Sequence, residues 1–344
     1  MSLWSRLFPP PPASPAEGLR AWRGELGGVA CRLHLRVEPD GTGLLLINAS
    51  AAVRLAPTGV LMADGLLQDL DDDAIVSRVR KSFAAPKARV SADLAELREL
   101  LRRLATAPGG AWPISDLRGG SGDGSLSAPL EAWVEVGAEE IVIPALDRLF
   151  ASGVPHVTLL PGEDDDLLVR SVERAEDLGM ICGVRVCGGS ITPETLGRLV
   201  TAGLDCLQVP VLAQEPEAHD ALLGDGDHVA ALALLETCEA LDLCGVAEVP
   251  ILDANAHALH ELAGDLAARG CGVLMAWPVP GGLSDAALPQ VLEDIEELAE
   301  SGIVHVLRAP PQPPDAPVPE RLRAGPAIAS DVSMRVSADG EEAR

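Results

Sequence analysis

From residue 129 onward, short apolar runs alternate with amphipathic stretches of roughly 10–15 residues, and strands separated by helices of that length form parallel βαβ units. The strand candidates are Leu130–Val136, Val154–Leu160, Ile181–Val186, Cys206–Val211, Cys244–Val249 and Val273–Trp277, with a last short strand at Ile303–Leu307. Helices are expected near 139–151, 164–178, 192–202, 227–241, 254–269 and 285–301. The stretch Leu149–Asp166, LFASGVPHVTLLPGEDDD, sets the register. A helix ends at a glycine, a buried strand follows, and Pro161-Gly162-Glu163-Asp164 turns acid straight off the strand's carboxyl end. In α/β barrels that end is the ligand-binding rim. Six such units are too few for an eightfold barrel, so residues 129–308 read as a (β/α)6 partial TIM-type barrel.

The chain before this repeat has another character. Residues 1–27 are punctuated by Pro and Gly without a clear period and read as a loose arm. Cys31–Val37 alternates apolar with polar residues, Glu38-Pro39-Asp40-Gly41 signals a turn, and Gly43–Ile47 and Val53-Arg54-Leu55 follow as strands. A helix near Thr58, another over Asp72–Phe83 and a third with Val90, Leu94, Leu97, Leu101 and Leu104 on one face complete a winged-helix-like α+β module over 28–106. Residues 107–128 form a Gly/Ser-rich linker, and 309–344, Pro-rich and then polar, read as a disordered tail. The fold class is therefore α/β, a winged-helix-like module followed by a partial barrel.

Charge divides the chain unevenly. Residues 1–106 hold 14 Lys/Arg against 12 Asp/Glu, whereas 107–344 hold 12 against 40, for −26 over the whole chain. A body this acidic repels phosphates and argues against nucleic acid as a partner. Arg78, Arg80 and Lys81 could form a DNA-reading face, but a solvated helix surface suits that charge better. No apolar run reaches the roughly 18 residues of a membrane span, so no membrane partner is expected. The seven cysteines (31, 182, 187, 206, 238, 244, 271) lie in apolar patterns, as reduced, buried thiols of a cytoplasmic protein do.

The first module resembles the PqqD family of peptide-recognition domains. Val53-Arg54-Leu55-x-Pro57-Thr58-Gly59, the acid-initiated helix with Ile75, Val76 and Val79, and Val90-x-x-Asp93-Leu94 follow that family's order. The resemblance implies a leader peptide or a partner maturase, bound by strand addition at Val53, Arg54 and Leu55 with Leu97 and Leu101 behind. The second module resembles the radical S-adenosylmethionine (SAM) superfamily, in particular peptide maturases that follow a PqqD-like domain. Pro161-Gly162-Glu163-Asp164 stands where the family has G-G-E-P, Val186-Cys187-Gly188-Gly189 where T-N-G is usual, and Glu217–Gly224 matches x-x-H-D-x-x-R-G. The remnant cofactor site implied by the match is Gly162, Glu163, Asp164, Cys187, Gly188 and Gly189.

The family's chemistry needs an iron–sulfur cluster on C-x-x-x-C-x-x-C in the loop after the first strand. Here Val136-Gly137 leads directly into Ala138-Glu139-Glu140, and no two cysteines are closer than Cys182 and Cys187. The S-x-D after the fourth strand reads Pro210-Val211-Leu212, and the Arg before Gly224 is Leu223. The expectation is a protein with no iron–sulfur cluster, no metal and no catalytic residues, acting in peptide or partner recognition. Two alternatives stand beside it: non-radical chemistry on SAM or a nucleotide at the rim, and a winged-helix regulator. Among single residues, Cys187 reads as a space-filler rather than a reactive thiol. Asp165 and Asp166 read as a first turn favoured by the helix dipole, His219-Asp220 as capping, and His257/His260 as an exposed face.

Overall fold

The computed structural model describes residues 15–26, 28–48, 51–105, 128–279, 281–308 and 333–343, and the chain divides into two compact units. The first opens with an antiparallel meander of β1 (Gly18–Leu26), β2 (Val29–Val37), β3 (Gly43–Ile47) and β4 (Ala51–Leu55), hydrogen-bonded in that order. Register places Trp22 beside Leu33, Leu35 beside Leu45, and Leu45 beside Val53. Three helices follow: α1 (Pro57–Leu67), α2 (Asp72–Ser82) and α3 (Lys87–Ala105). Pro57 starts α1, where a missing N–H costs nothing. Asp71 caps α2 by accepting from the Ala74 amide at 2.7 Å, with Asp72 and Asp73 in the first turn and Arg80 and Lys81 in the last. The core of this unit gathers Leu35, Leu45, Ile47, Val60, Ile75, Leu94 and Leu101.

One part of the expected loose arm is thus a nine-residue strand. β1 carries little alternation of its own and is half exposed, so its conformation comes from pairing with β2, which local pattern does not announce. The expected linker lies outside the described residues except for Ala128.

The second unit contains β5 (Glu131–Glu135), α4 (Glu139–Ala151), β6 (His156–Leu160), α5 (Asp165–Leu178), β7 (Ile181–Arg185), α6 (Pro193–Ala202) and β8 (Cys206–Pro210). It continues through α7 (Pro216–Leu223), α8 (Asp227–Ala240), β9 (Cys244–Ile251), α9 (Leu259–Ala268), β10 (Val273–Pro278), α10 (Leu288–Ser301), β11 (His305–Arg308), β12 (Ser333–Val336) and β13 (Glu342–Ala343). β5 to β11 are parallel, each beside its neighbour in sequence, the order of a singly wound partial barrel. β5 to β11 match the six expected strands and the last short one, and the sheet is two strands wider. Part of the expected disordered tail adds to its far end: β12 lies parallel to β5, and β13 pairs antiparallel with β12. Four residues are too few to announce a strand, and Met334 and Val336 complete the period-2 pattern only once they are buried. Residues 309–332 lie outside the described set.

Alternation along the strands gives the sheet two unlike faces. Val134, Leu159, Val184, Val209, Val249 and Leu274 pack with the helices into one apolar core. The residues between them, on the other face, include Glu131, Thr158, Arg185, Gln208, Glu248 and Trp277, and these are buried too. In parallel sheets both faces commonly read as apolar runs. This one does not.

Candidate binding site at the strand ends

The carboxyl ends of β5, β6 and β7 open onto a cavity of about 690 Å³, lined by Glu135, Gly162, Glu163, Asp164, Arg185 and Cys187 together with Ser190 and Arg335. Four of the six residues assigned to a remnant cofactor site therefore come together: Gly162, Glu163, Asp164 and Cys187. Each has a local reason for its place. A Cβ on Gly162 would stand 2.2 Å from the Val136 carbonyl oxygen, so the turn after β6 rests on the end of β5 and admits no side chain. Gly162→Ala is expected to destabilise the second unit by about 1–3 kcal/mol through forced backbone displacement, read as a lowered urea midpoint at unchanged slope.

Glu163 is exposed. Asp164 caps α5, accepting from the Leu167 amide at 3.0 Å. Asp165 accepts from the Thr195 hydroxyl at 2.7 Å, and Asp166 pairs with Arg198, so these two acids tie α5 to α6. That pairing, with its hydrogen bond first, holds the Asp166 carboxyl below its usual range.

The other two residues are turned to different work. A Cβ on Gly188 would meet the Ala231 nitrogen at 2.3 Å and the Asp227 oxygen at 2.4 Å, so Gly188 lets the β7 loop lie against α8. The Gly189 amide donates to Asp227 Oδ1 at 3.1 Å. His219 Nδ1 accepts from the Leu212 amide at 3.1 Å, which puts the proton on Nε2, and Nε2 donates to Asp227 Oδ2 at 2.9 Å. Burial pushes the Asp227 carboxyl up, but the His219 and backbone bonds outweigh it and leave it below the usual range. Asp220 accepts from the Gly226 and His228 amides at 2.8 and 2.9 Å, capping α8. The His219-Asp220 pair is thus a bracket between α7, α8 and the β7 loop.

Sequence reasoning missed the polar face beneath the cavity. The Arg185 guanidinium on β7 reaches past β8 to Glu248 on β9, with Nε at 2.9–3.0 Å from both carboxylate oxygens and a terminal nitrogen at 2.8 Å. Side-chain exposure is 2% and 0%, so this is an interior ion pair. Nearby strands carry a second group. Thr158 donates to Glu131 Oε1 at 3.0 Å, Gln208 donates to Thr158 at 3.4 Å, and His156 Nδ1 lies 3.6 Å from Glu131. Burial, the largest influence, pushes the Glu131 carboxyl up to about 7 against the Thr158 hydrogen bond. The available signal was polar residues at alternate positions in strands that otherwise read as wholly buried: His156 and Thr158, Cys206 and Gln208.

A three-thiolate cluster does not fit the residues present. Three residues, Val136 to Ala138, separate β5 from α4, and Gly137 is packed so closely that a Cβ there would stand 2.8 Å from the Ala338 methyl. Burial raises the thiols of Cys206, Cys271, Cys244 (to about 11) and Cys238 (to about 12), favouring the protonated form that binds metal poorly. Among the described residues no group of three or more His, Cys, Asp or Glu could hold a metal ion, and His257 and His260 are exposed. No helix among them is long and apolar enough to cross a membrane.

In the first unit the expected peptide residues lie on two elements that share one core. Val53, Arg54 and Leu55 lie on β4, one edge of the meander, which packs on α1. Leu97 and Leu101 are buried on α3, which packs across β1, β2 and β3. Leu101 lines a cavity of about 360 Å³ beside the opposite edge strand, with Trp22, Leu26, Leu66, Leu70 and Arg98. Arg78 turns inward to the buried Asp64 at 2.6 Å, where Arg20 also pairs at 2.9 Å, while Arg80 and Lys81 are exposed.

No protein-family model and no curated protein matches the chain. Solved structures do match. The crystal structure of Streptococcus suis SuiB bound to S-adenosylmethionine aligns with a TM-score of 0.62 at 10% identity, covering 94% of this chain and 82% of SuiB. SuiB bound to the precursor peptide SuiA aligns with a TM-score of 0.60 at 10% identity and the same coverage. At that identity the likeness is one of fold alone.

Proposed function

We propose that this protein is a catalytically inactive radical SAM-like protein that recognises a peptide or a partner maturase in a peptide-modifying system. The observation that carries the proposal is the junction after β5. Where the resemblance puts the cluster loop, three residues join strand to helix, and Gly137 is held against Ala338. The strand–helix scaffold around this junction is complete, as expected of a fold kept for binding. In the first unit, the order of elements over residues 30–105 supports a PqqD-like, winged-helix-type recognition domain. β4, at a sheet edge, offers its backbone to an incoming strand there. A fold match to a protein bound to a precursor peptide agrees with this reading. The acidic second unit keeps nucleic acid off the list of partners.

Anaerobic reconstitution with iron and sulfide is expected to leave the protein without cluster absorbance or stoichiometric iron. A stoichiometric cluster would overturn the proposal. Peptides selected from a random library on the full chain are expected to lose at least tenfold in affinity on Val53→Asp.

A second reading is favoured by the cavity itself. Glu163 and Asp164 could take an ammonium group and Arg335 a carboxylate, so SAM or a nucleotide bound there would serve non-radical chemistry. Calorimetric binding of SAM without a cluster would favour this reading.

A further inference from the structure

The hairpin β12–β13 departs from the winding of the rest of the sheet. Among the described residues the winding runs to β11, yet the next described strand lies at the opposite end, against β5. Ser333 to Val336 pair in parallel with Glu131 to Val134. Met334 and Val336 are buried in the sheet–helix core, at 4% and 1% exposure. Arg335, between them, points the other way and donates Nε and a terminal nitrogen to Glu135 Oε1 at 3.1 and 2.8 Å. The Ala338 amide donates to Glu135 Oε2 at 3.1 Å, so the hairpin uses both oxygens of that carboxylate. Arg335 and Ala338 also form one wall of the rim cavity. The ion pair is about a third exposed, which leaves it open to exchange with water and with competitors.

We infer that the edge of β5 is a strand-addition site for an extended segment of a partner polypeptide with arginine between two apolar residues, and that Ser333–Val336 occupies it in cis. The seated segment defines what the site accepts. Two apolar side chains enter the core at alternate positions, and one guanidinium meets Glu135 at the cavity. Backbone pairing supplies affinity and alternate side chains supply selectivity, as in other strand additions. Charge points the same way: Glu135, Glu163 and Asp164 line the rim of a chain whose residues 107–344 carry 40 acids against 12 bases. The inference rests on the peptide-recognition reading and adds a second site to it, on the barrel rather than the first unit.

The test uses a fluorescent peptide with the sequence of residues 332–343 and the full chain in three forms, followed by anisotropy. The wild-type chain, its site filled in cis, is expected to bind at least tenfold more weakly than Arg335→Glu, whose own strand is repelled by Glu135. Glu135→Arg is expected to reverse the preference, taking a peptide with Glu in place of Arg and refusing the original. A misfolded chain would not swap charge preference in this way. The inference is overturned if no form binds either peptide, or if affinity ignores the charge at that position. It is also overturned if light scattering finds the wild-type chain dimeric through exchanged hairpins. Val53→Asp reads the site on β4 and Glu135→Arg reads this one, so failure of either leaves the other standing.

Discussion

Arg185→Ala is expected to cost the second unit about 3–5 kcal/mol, because it leaves the Glu248 carboxylate charged and without its guanidinium in the sheet interior. The two side chains are 2% and 0% exposed, so the carboxylate loses its charged partner in the interior. Their attraction offsets a large desolvation cost on both, and removing one keeps the cost while losing the attraction. The paired substitution Arg185→Met with Glu248→Leu removes both charges and is expected to be near neutral or stabilising. Urea unfolding of the two single variants and the double variant checks this through the coupling energy. If the singles each lose less than about 1 kcal/mol, the typical value of an exposed pair, then the pair is hydrated and the interior is not closed. The result bears on function, since this ion pair lies directly beneath the rim cavity and Arg185 forms part of its lining.

The parallel order of β5 to β11 was legible because each strand is short, apolar and followed by a helix with an apolar stripe. The acid turn after β6 was legible for the same reason, since Pro161-Gly162-Glu163 follows a run that can only be a strand. Elements with no pattern of their own were not legible. β1 exists by pairing with β2, and β12 by pairing with β5 some 200 residues away. At the site, four residues that the family motif sets together, Gly162, Glu163, Asp164 and Cys187, line one cavity at the rim. Gly188 and Gly189 do not line it: the missing side chain of Gly188 allows contact with α8, and the Gly189 amide donates to Asp227. Leu101 and Val53 share the core of the first unit, from α3 and from the edge strand β4. Spacing along a chain reports which residues share an element, not which elements share a cleft.

Glu131→Gln is expected to flatten the pH dependence of stability. In the folded protein the Glu131 carboxyl is raised to about 7, with burial the main cause and the nearby Glu248 charge adding to it. In the unfolded chain the same group titrates near its ordinary value of 4.5. The folded state therefore holds a proton that the unfolded state has released between those two values. Stability from this group is fully present below pH 4.5 and is lost as pH rises through about 7. Above both values the loss approaches roughly 3 kcal/mol, since each tenfold difference in proton affinity between the two states is worth about 1.4 kcal/mol. Glutamine keeps an oxygen to accept the Thr158 hydroxyl and cannot ionise, so the variant is expected to match the wild type at pH 4 and exceed it at pH 8.5. His156, 3.6 Å from the carboxyl, acts in the opposite sense if it charges, because a cation there would stabilise the carboxylate. Urea unfolding of both proteins at pH 4, 7 and 8.5 separates these effects. Parallel curves would assign the slope to His156 or to surface acids. Convergence near pH 4, with a gap that opens between pH 4.5 and 7 and stays constant above, would place a neutral carboxylic acid inside the barrel, where, with the Arg185–Glu248 pair, the interior face carries no net charge.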